Sequence, residues 1–251
     1  MDYSSIASQY TLPSLGKIYT PNVDPVVTLR SMTTAEEIKR LNPTERPCKA
    51  MSEIIDACIE NKLPISSYDM CIGDYQFLLH KLRIVTYGSN YSVTTQCPYC
   101  GVTSKETINL EEIPVSIYSD EVQQNFEFDL PKTGKHIRLR AQTPRMIDEV
   151  SLRAKELKKK QGSSFVDPAL SLTIEYMIDT IDGHRPDPVK LSQWVMNLPM
   201  MDTNIILQKA EKLNDSIGVS RTMTVECDVC GMDYTCNIPM TAEFFRPSAD
   251  L

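Results

Sequence analysis

Two five-residue stretches constrain this chain more than any other feature: Cys97-Pro98-Tyr99-Cys100-Gly101 and Cys227-Asp228-Val229-Cys230-Gly231. Each is a C-x-x-C turn followed at once by glycine, and 126 residues (101–226) separate the two pairs. Such a turn sets two thiolates on one side of a tight reversal, the bite a tetrahedral metal needs. The glycine that follows allows positive φ, which lets backbone amides point at the sulfurs. One knuckle supplies two ligands and a structural zinc takes four, so two matching knuckles predict one another. The pattern predicts a single four-cysteine site, Cys97, Cys100, Cys227 and Cys230, holding one structural Zn2+ per chain. No histidine lies near either pair, which favours four sulfurs over a mixed ligand set.

Two other readings stand beside this one: a redox pair, or two unrelated sites. Redox C-x-x-C motifs open a helix after a strand. Here the flanks are β-rich on both sides, Tyr91 to Gln96 and Val102 to Leu110 around the first pair. Thr222 to Glu226 and Met232 to Ile238 flank the second. That is hairpin context. Of the remaining cysteines, Cys48 and Cys58 fall in a helical pattern, and Cys71 and Cys236 have no knuckle spacing. Cys236, six residues past Cys230, is read as a half-buried strand residue before a spare ligand. Unpaired cysteines of this kind point to a reducing compartment, a cytoplasm.

With 251 residues, 41% apolar and 24% charged, the chain can bury a sizeable core. A net charge of −7 argues against a phosphate-backbone partner, which needs clustered Lys and Arg. The one basic run, Lys155 to Lys160, suits the C-terminal end of a helix. Neither a leader sequence nor a membrane-spanning apolar run is visible, so no membrane association is expected.

Residues 1–30 read as an extended arm, because Leu12-Pro-Ser-Leu-Gly16 and the prolines at 21 and 25 defeat a helix. If ordered, it is expected to lie along another surface. Residues 31–88 read as a helical region. Thr33 and Glu36 make a capping box, a second helix runs from about Pro47 to Glu60, and Ser66 opens a third. In the third, Tyr75, Leu78, Leu79, Leu82 and Val85 form the apolar stripe, with Asp74, Lys81 and Arg83 off it. Residues 89–142 and 219–239 make a β-rich zinc-ribbon-like module, including a hairpin that pairs Phe126, Phe128 and Leu130 with Ile137 and Leu139. Residues 143–218 form an inserted helical bundle whose helices start at Thr143-Pro144, Asp167-Pro168, Asp187-Pro188 and after Pro199. The second of these is expected to run through Ile178 and Ile181. The tail, 240–251, carries Phe244-Phe245, either a docking element or a segment folded back on its own domain. The fold class is therefore α+β, with a hairpin and a helical bundle inserted between the two halves of a ribbon.

No P-loop, G-x-G-x-x-G, G-x-S-x-G or H-E-x-x-H motif is present, and nine glycines leave few places to cradle a phosphate. His80, His136 and His184 have no recognisable nucleophile or acid partner and are read as structural. No catalytic residues and no organic cofactor are expected.

One combination of residues is distinctive. Leu12-Pro-Ser-Leu-Gly16-Lys-Ile-Tyr19 is followed by Arg30-Ser-Met-Thr-Thr-Ala-Glu-Glu37. Then Gly73-Asp-Tyr-Gln-Phe-Leu-Leu-His-Lys-Leu-Arg83 runs into Thr86-Tyr-Gly88 and the first knuckle. This resembles the T4-type bacteriophage baseplate protein family, most specifically over residues 12–101. The spacing of Asp74, Arg83 and Tyr87-Gly88 carries the likeness together with the knuckle. The resemblance implies a non-enzymatic hub subunit, or an assembly chaperone absent from the finished particle, that binds other hub or wedge proteins in an oligomeric assembly. It places the protein in the host cytoplasm during assembly and in the tail baseplate if retained. It also implies that the arm orders on a partner. A zinc-ribbon nucleic-acid-binding protein is the rival reading, and Glu226, Asp228 and Asp233 around the second knuckle count against it.

Overall fold

The computed structural model describes residues 7–161, 168–238 and 242–245. The chain is a mixed α+β protein with eight α-helices and five small sheets among the described residues. The order is β1 (Ala7–Thr11), β2 (Val26–Arg30), α1 (Thr34–Leu41), α2 (Pro47–Cys58), α3 (Ile72–Tyr87), β3 (Asn90–Gln96) and β4 (Thr103–Asn109). There follow β5 (Val115–Ser116), α4 (Asp120–Gln124), β6 (Glu127–Asp129), β7 (His136–Leu139), α5 (Pro144–Gln161), α6 (Ala169–Met177) and β8 (Ile178–Ile181). The chain continues with α7 (Pro188–Met196), α8 (Met200–Asp215), β9 (Gly218–Val219), β10 (Thr222–Glu226), β11 (Asp233–Asn237) and a 3-10 turn, Ala242–Phe245.

Local chemistry sets most of these boundaries. At the start of α1, Glu36 accepts from the Thr33 amide at 2.7 Å and from the Thr33 hydroxyl, while Arg30 donates to the same carboxylate at 2.9 Å. The Arg30 hydrogen bond leads in holding the Glu36 pKa down at about 2, against partial burial, from its ordinary 4.5. A depressed carboxylate stabilises the fold fully above pH 4.5, and the gain fades as pH falls toward 2. Replacing Glu36 with Gln is therefore expected to cost on the order of 2 kcal/mol at neutral pH, allowing for screening. Urea melts across pH should show the gap to wild type narrowing below pH 4.5, and a constant gap would contradict the assignment. At α7, the Asp187 carboxylate accepts from the amides of Val189 and Lys190, with Pro188 in the first turn.

Helix α3 starts at Ile72, later than expected. Ser66 and Ser67 instead make a turn whose hydroxyl and amide donate to Asp56, at 2.6 and 2.9 Å, and Cys71 caps the helix. The helix is buried nearly all round: Asp74, His80 and Arg83 are as inaccessible as Leu78 and Leu82. It is the centre of the first core, covered by β1–β2, α2, the bases of β3–β4 and the 3-10 turn. The expectation of polar residues off a single apolar stripe fails because long-range partners cover every side.

Residues 7–30 lie along a surface of this same chain, the first core around α3, and not on a partner. β1 pairs antiparallel with β2, Leu12 and Ser14 are fully buried, and Val23 nearly so. The Asp74 carboxylate accepts from the Ser14 amide at 2.9 Å, from the Ser14 hydroxyl and from the Tyr19 hydroxyl at 2.6 Å. Phe244 and Phe245 are buried too, not exposed. Phe244 packs 5.2 Å from the Tyr91 ring and 6.3 Å from His80. Of the tail segment at 240–251, residues other than 242–245 lie outside the described residues, as does Asp167 before α6.

A second core packs α6, α7 and α8 against the antiparallel sheet β6–β7–β8, using Leu130, Ile137, Leu139, Ile174, Ile178 and Ile206. The expected extension of α6 through Ile181 is overturned. The helix ends at Met177, and Ile178-Asp-Thr-Ile181 pairs with β7, Ile137 opposite Ile181 and Leu139 opposite Ile178. Its β-branched residues suit a strand, and a free edge of β7 decides the matter. The β6–β7 hairpin thus belongs to the bundle's core. The chain leaves the first core at β5 and returns at β9, and these pair directly, Val115 opposite Val219. Here α3 touches the returning strand backbone to backbone: a Cβ on Gly73 would lie 2.2 Å from the Ile217 carbonyl oxygen, and one on Gly218 2.7 Å from the Gly73 Cα. Only glycine permits that approach.

Candidate metal centre

The two knuckles share one backbone plan. The Cys97 amide donates to the Val102 carbonyl at 2.9 Å and the Gly101 amide to the Cys97 carbonyl at 2.9 Å. In the second, the Cys227 amide donates to Met232 at 3.1 Å and the Gly231 amide to Cys227 at 2.8 Å. Gly101 and Gly231 take φ of +73° and +67°, the left-handed conformation the sequence expectation required. Each knuckle closes a hairpin: β3 pairs with β4 up to Gln96 opposite Thr103, and β10 with β11 up to Glu226 opposite Asp233.

The hairpins lean together at their tips. The hydroxyls of Thr95 and Tyr234 hydrogen-bond at 2.5 Å, and Cys97, Val225, Cys227 and Tyr234 form a separate small core. This brings the four sulfurs of Cys97, Cys100, Cys227 and Cys230 within 4.8 Å of one another. Cys97 Sγ is 3.7 Å from Cys230 Sγ, and Cys100 Sγ is 3.6 Å from Cys227 Sγ. Disulfides require about 2.05 Å, so all four cysteines are free. A tetrahedron built on a zinc–sulfur bond of about 2.3 Å has edges of about 3.8 Å. The two Sγ–Sγ separations match such edges. Cys97 and Cys227 are buried, Cys100 and Cys230 exposed.

The electrostatics are those of closely crowded thiols. Burial opposes the Cys97 thiolate, but the amides of Cys100 and Tyr99 donate to it, and its pKa comes down to about 7. At Cys230 the Met232 amide favours the thiolate, yet desolvation and the neighbouring sulfurs push the pKa up to about 12. Four thiolates cannot coexist so closely without a positive charge among them, whereas a divalent ion at the centre relieves all of the repulsion. The donor set fits a soft, tetrahedral metal with no open coordination position, which suits a structural role and leaves nothing for a substrate. No helix begins at either knuckle, so the lowered Cys97 pKa comes from amides within its own turn and not from the helix start that a redox motif uses.

Cys236 sits half-buried in β11 opposite Met223, apart from this cluster. Among the described residues, no other group of three or more His, Cys, Asp and Glu side chains gathers in this way. His80 is buried with both ring nitrogens unpartnered, and burial lowers its pKa to about 4. His136 Nδ1 lies 2.8 Å from Asp129, a surface ion pair. Neither joins a catalytic arrangement.

Sequence reasoning missed the buried polar clamps. Asp148 accepts from the amides of Cys48 and Lys49, at 3.2 and 2.9 Å, and from the Tyr68 hydroxyl at 3.2 Å, tying α5 to α2. Asp202 accepts from the amides of Lys132 and Thr133, both at 2.9 Å, fixing the β6–β7 turn on α8. Arg83 donates to the carbonyls of Phe244, Gly88 and Asn90, at 2.8, 2.9 and 3.3 Å. The residues that carried the family resemblance, Asp74, Arg83 and Tyr87-Gly88, are therefore fasteners. Asp74 grips the N-terminal segment at one end of α3, and Arg83 grips the C-terminal one at the other.

A family model described as T4 bacteriophage base plate protein matches residues 5–246, nearly the whole chain. No curated protein and no solved structure matches it. No helix among the described residues is long and apolar enough to cross a membrane.

Proposed function

This chain belongs to the T4 bacteriophage base plate protein family, and we propose that it is a non-enzymatic hub subunit of a contractile-tail baseplate, binding other hub or wedge proteins. The observation that carries the reading is the breadth of the family match, which takes in the α3 fasteners, both knuckles and the bundle between them. In this reading Cys97, Cys100, Cys227 and Cys230 hold one structural zinc, which staples two hairpins from distant parts of the chain into one zinc-ribbon-like module. The bundle is then an insertion between the halves of that module. A metal serves because the module's own core is four side chains, too few to hold two hairpins together. The protein acts in the host cytoplasm during assembly and in the tail baseplate of the virion.

Mass-spectrometric quantification of the chain in purified particles and in isolated assembly intermediates tests this. A fixed copy number per finished baseplate is expected. Presence in intermediates alone would identify the assembly chaperone instead, and absence from both would overturn the role. The nucleic-acid reading has little support, because Glu226, Asp228 and Asp233 are exposed around the second knuckle.

A further inference from the structure

Away from the cysteines, the inserted bundle contains a cleft of about 370 Å3 between β8, α5, α6 and the start of α7. Arg140, Arg153 and Arg185 come to it from three different parts of the chain, while Tyr176, Ile178 and Leu191 give it apolar walls. On a chain of net charge −7, three converging arginines are a local exception.

Arg140 is the most constrained of the three. Arg140 donates through Nη2 to the Ile178 carbonyl at 2.8 Å and stands 3.6 Å from Asp179, but its Nε is buried with no acceptor. Asp179 is already shared, with Arg185 at 3.3 Å and Arg138 at 3.9 Å. Burial pushes the Arg140 pKa down, Asp179 offsets this in part, and Arg185 adds to it. The buried Nε is closed to the cleft, but the Arg140 and Arg185 side chains are 38% and 77% exposed and line it, and guanidinium groups pair best with planar carboxylates that take two N–H groups at once.

We propose that this cleft binds a carboxylate side chain of an apolar, acidic segment on a partner protein, with Arg140 and Arg185 as its principal donors. The apolar walls match the aliphatic neighbours of such a side chain. Glu175 lines the same cleft and Asp179 sits behind it, which disfavours a polyanion such as a nucleic-acid backbone. The inference is independent of the metal centre and of the assembly role.

The test is an NMR titration of the full 15N-labelled chain, following the arginine Nε–Hε resonances. The probes are acetyl-Leu-Glu-Leu-amide, acetyl-Leu-Gln-Leu-amide, sodium acetate and inorganic phosphate, each added separately. The glutamate peptide is expected to shift the Arg140 resonance saturably, with the other three probes weaker by roughly tenfold or more. Arg185→Gln, at an exposed position that leaves the core untouched, is expected to weaken the glutamate peptide by a similar factor while the rest of the spectrum stays in place. Arg153→Gln serves as a second variant. Equal binding of the glutamine peptide, an acetate affinity as high as the peptide's, or no saturable shift would each overturn the proposal. Tighter binding of phosphate would overturn it in favour of a phosphate-bearing ligand, and unchanged affinity in both arginine variants would remove the site from this cleft.

Discussion

Stripping the metal with a zinc chelator is expected to expose the amides at the tips of the two knuckle hairpins while the rest of the protein stays folded. The tips are residues 94–105 and 223–235, which depend on the small core of Cys97, Val225, Cys227 and Tyr234. The roots of β3 and β4 are held differently, because Tyr91, Val93 and Ile108 pack into the first core. The bundle has its own core around Ile137, Ile178 and Ile206. A structural zinc contributes on the order of 10–16 kcal/mol in small four-ligand domains, far more than four side chains supply. Hydrogen exchange read by mass spectrometry should therefore show protection lost at the tips and kept in α3, α6 and α8. Cys97→Ser should reproduce this without chelator, since three sulfurs cannot close the tetrahedron. Unchanged protection at the tips after chelation would mean that the hairpins are held by packing alone.

The second large effect is expected from Arg83→Met, which keeps much of the side-chain volume and removes the donors. Arg83 is fully buried, and three main-chain carbonyls accept from it, with the Tyr87 ring 5.0 Å from the guanidinium. Removing it strands the Phe244 carbonyl in the closed interior, at about 1–3 kcal/mol where water cannot replace the donor, whereas the carbonyls of the exposed residues Gly88 and Asn90 can turn to water. A loss on the order of 3 kcal/mol in denaturant unfolding is expected, most of it from the Phe244 carbonyl. The loss should be accompanied by early proteolytic release of the C-terminal segment, because Arg83 Nε holds the Phe244 carbonyl. A loss below about 1 kcal/mol would show that the carbonyls find other donors and that the residue is not a fastener.

What could be read from the sequence was the chemistry that acts over short distances. The knuckles, their glycines, the Thr33–Glu36 start of α1 and the Asp187-Pro188 start of α7 are all decided within a few residues. The four-cysteine cluster was also legible, since each incomplete ligand pair implies another. The remaining features depend on partners far along the chain. Ile178 to Ile181 fits a helix or a strand, and the open edge of β7 selects the strand. Asp74 and Arg83 look like surface charges on an amphipathic helix until segments 60 and 161 positions away close over them. The hydrogen bond between Thr95 and Tyr234, 139 positions apart, leaves no local trace. Nor does a small sequence signal distinguish a buried Phe244 from a docking aromatic, because both need the same residue type.

The position of these long-range ties gives the architecture its logic. Helix α3 fastens the N-terminal segment through Asp74, the C-terminal segment through Arg83 and the returning β9 strand through Gly73. The bundle is thereby held at β5–β9, and the knuckle hairpins rise from the same core. The hairpins meet at their tips, where the four cysteines gather.

The most direct test of the central claim is metal content by elemental analysis on the purified full chain, repeated on Cys97→Ser and Cys227→Ser. The account requires one zinc per chain in the wild type and its loss in either variant, because each knuckle supplies only half of one site. Absence of zinc in the wild type, or full retention in one variant, would mean that the two knuckles do not share an ion and would contradict the stapled module.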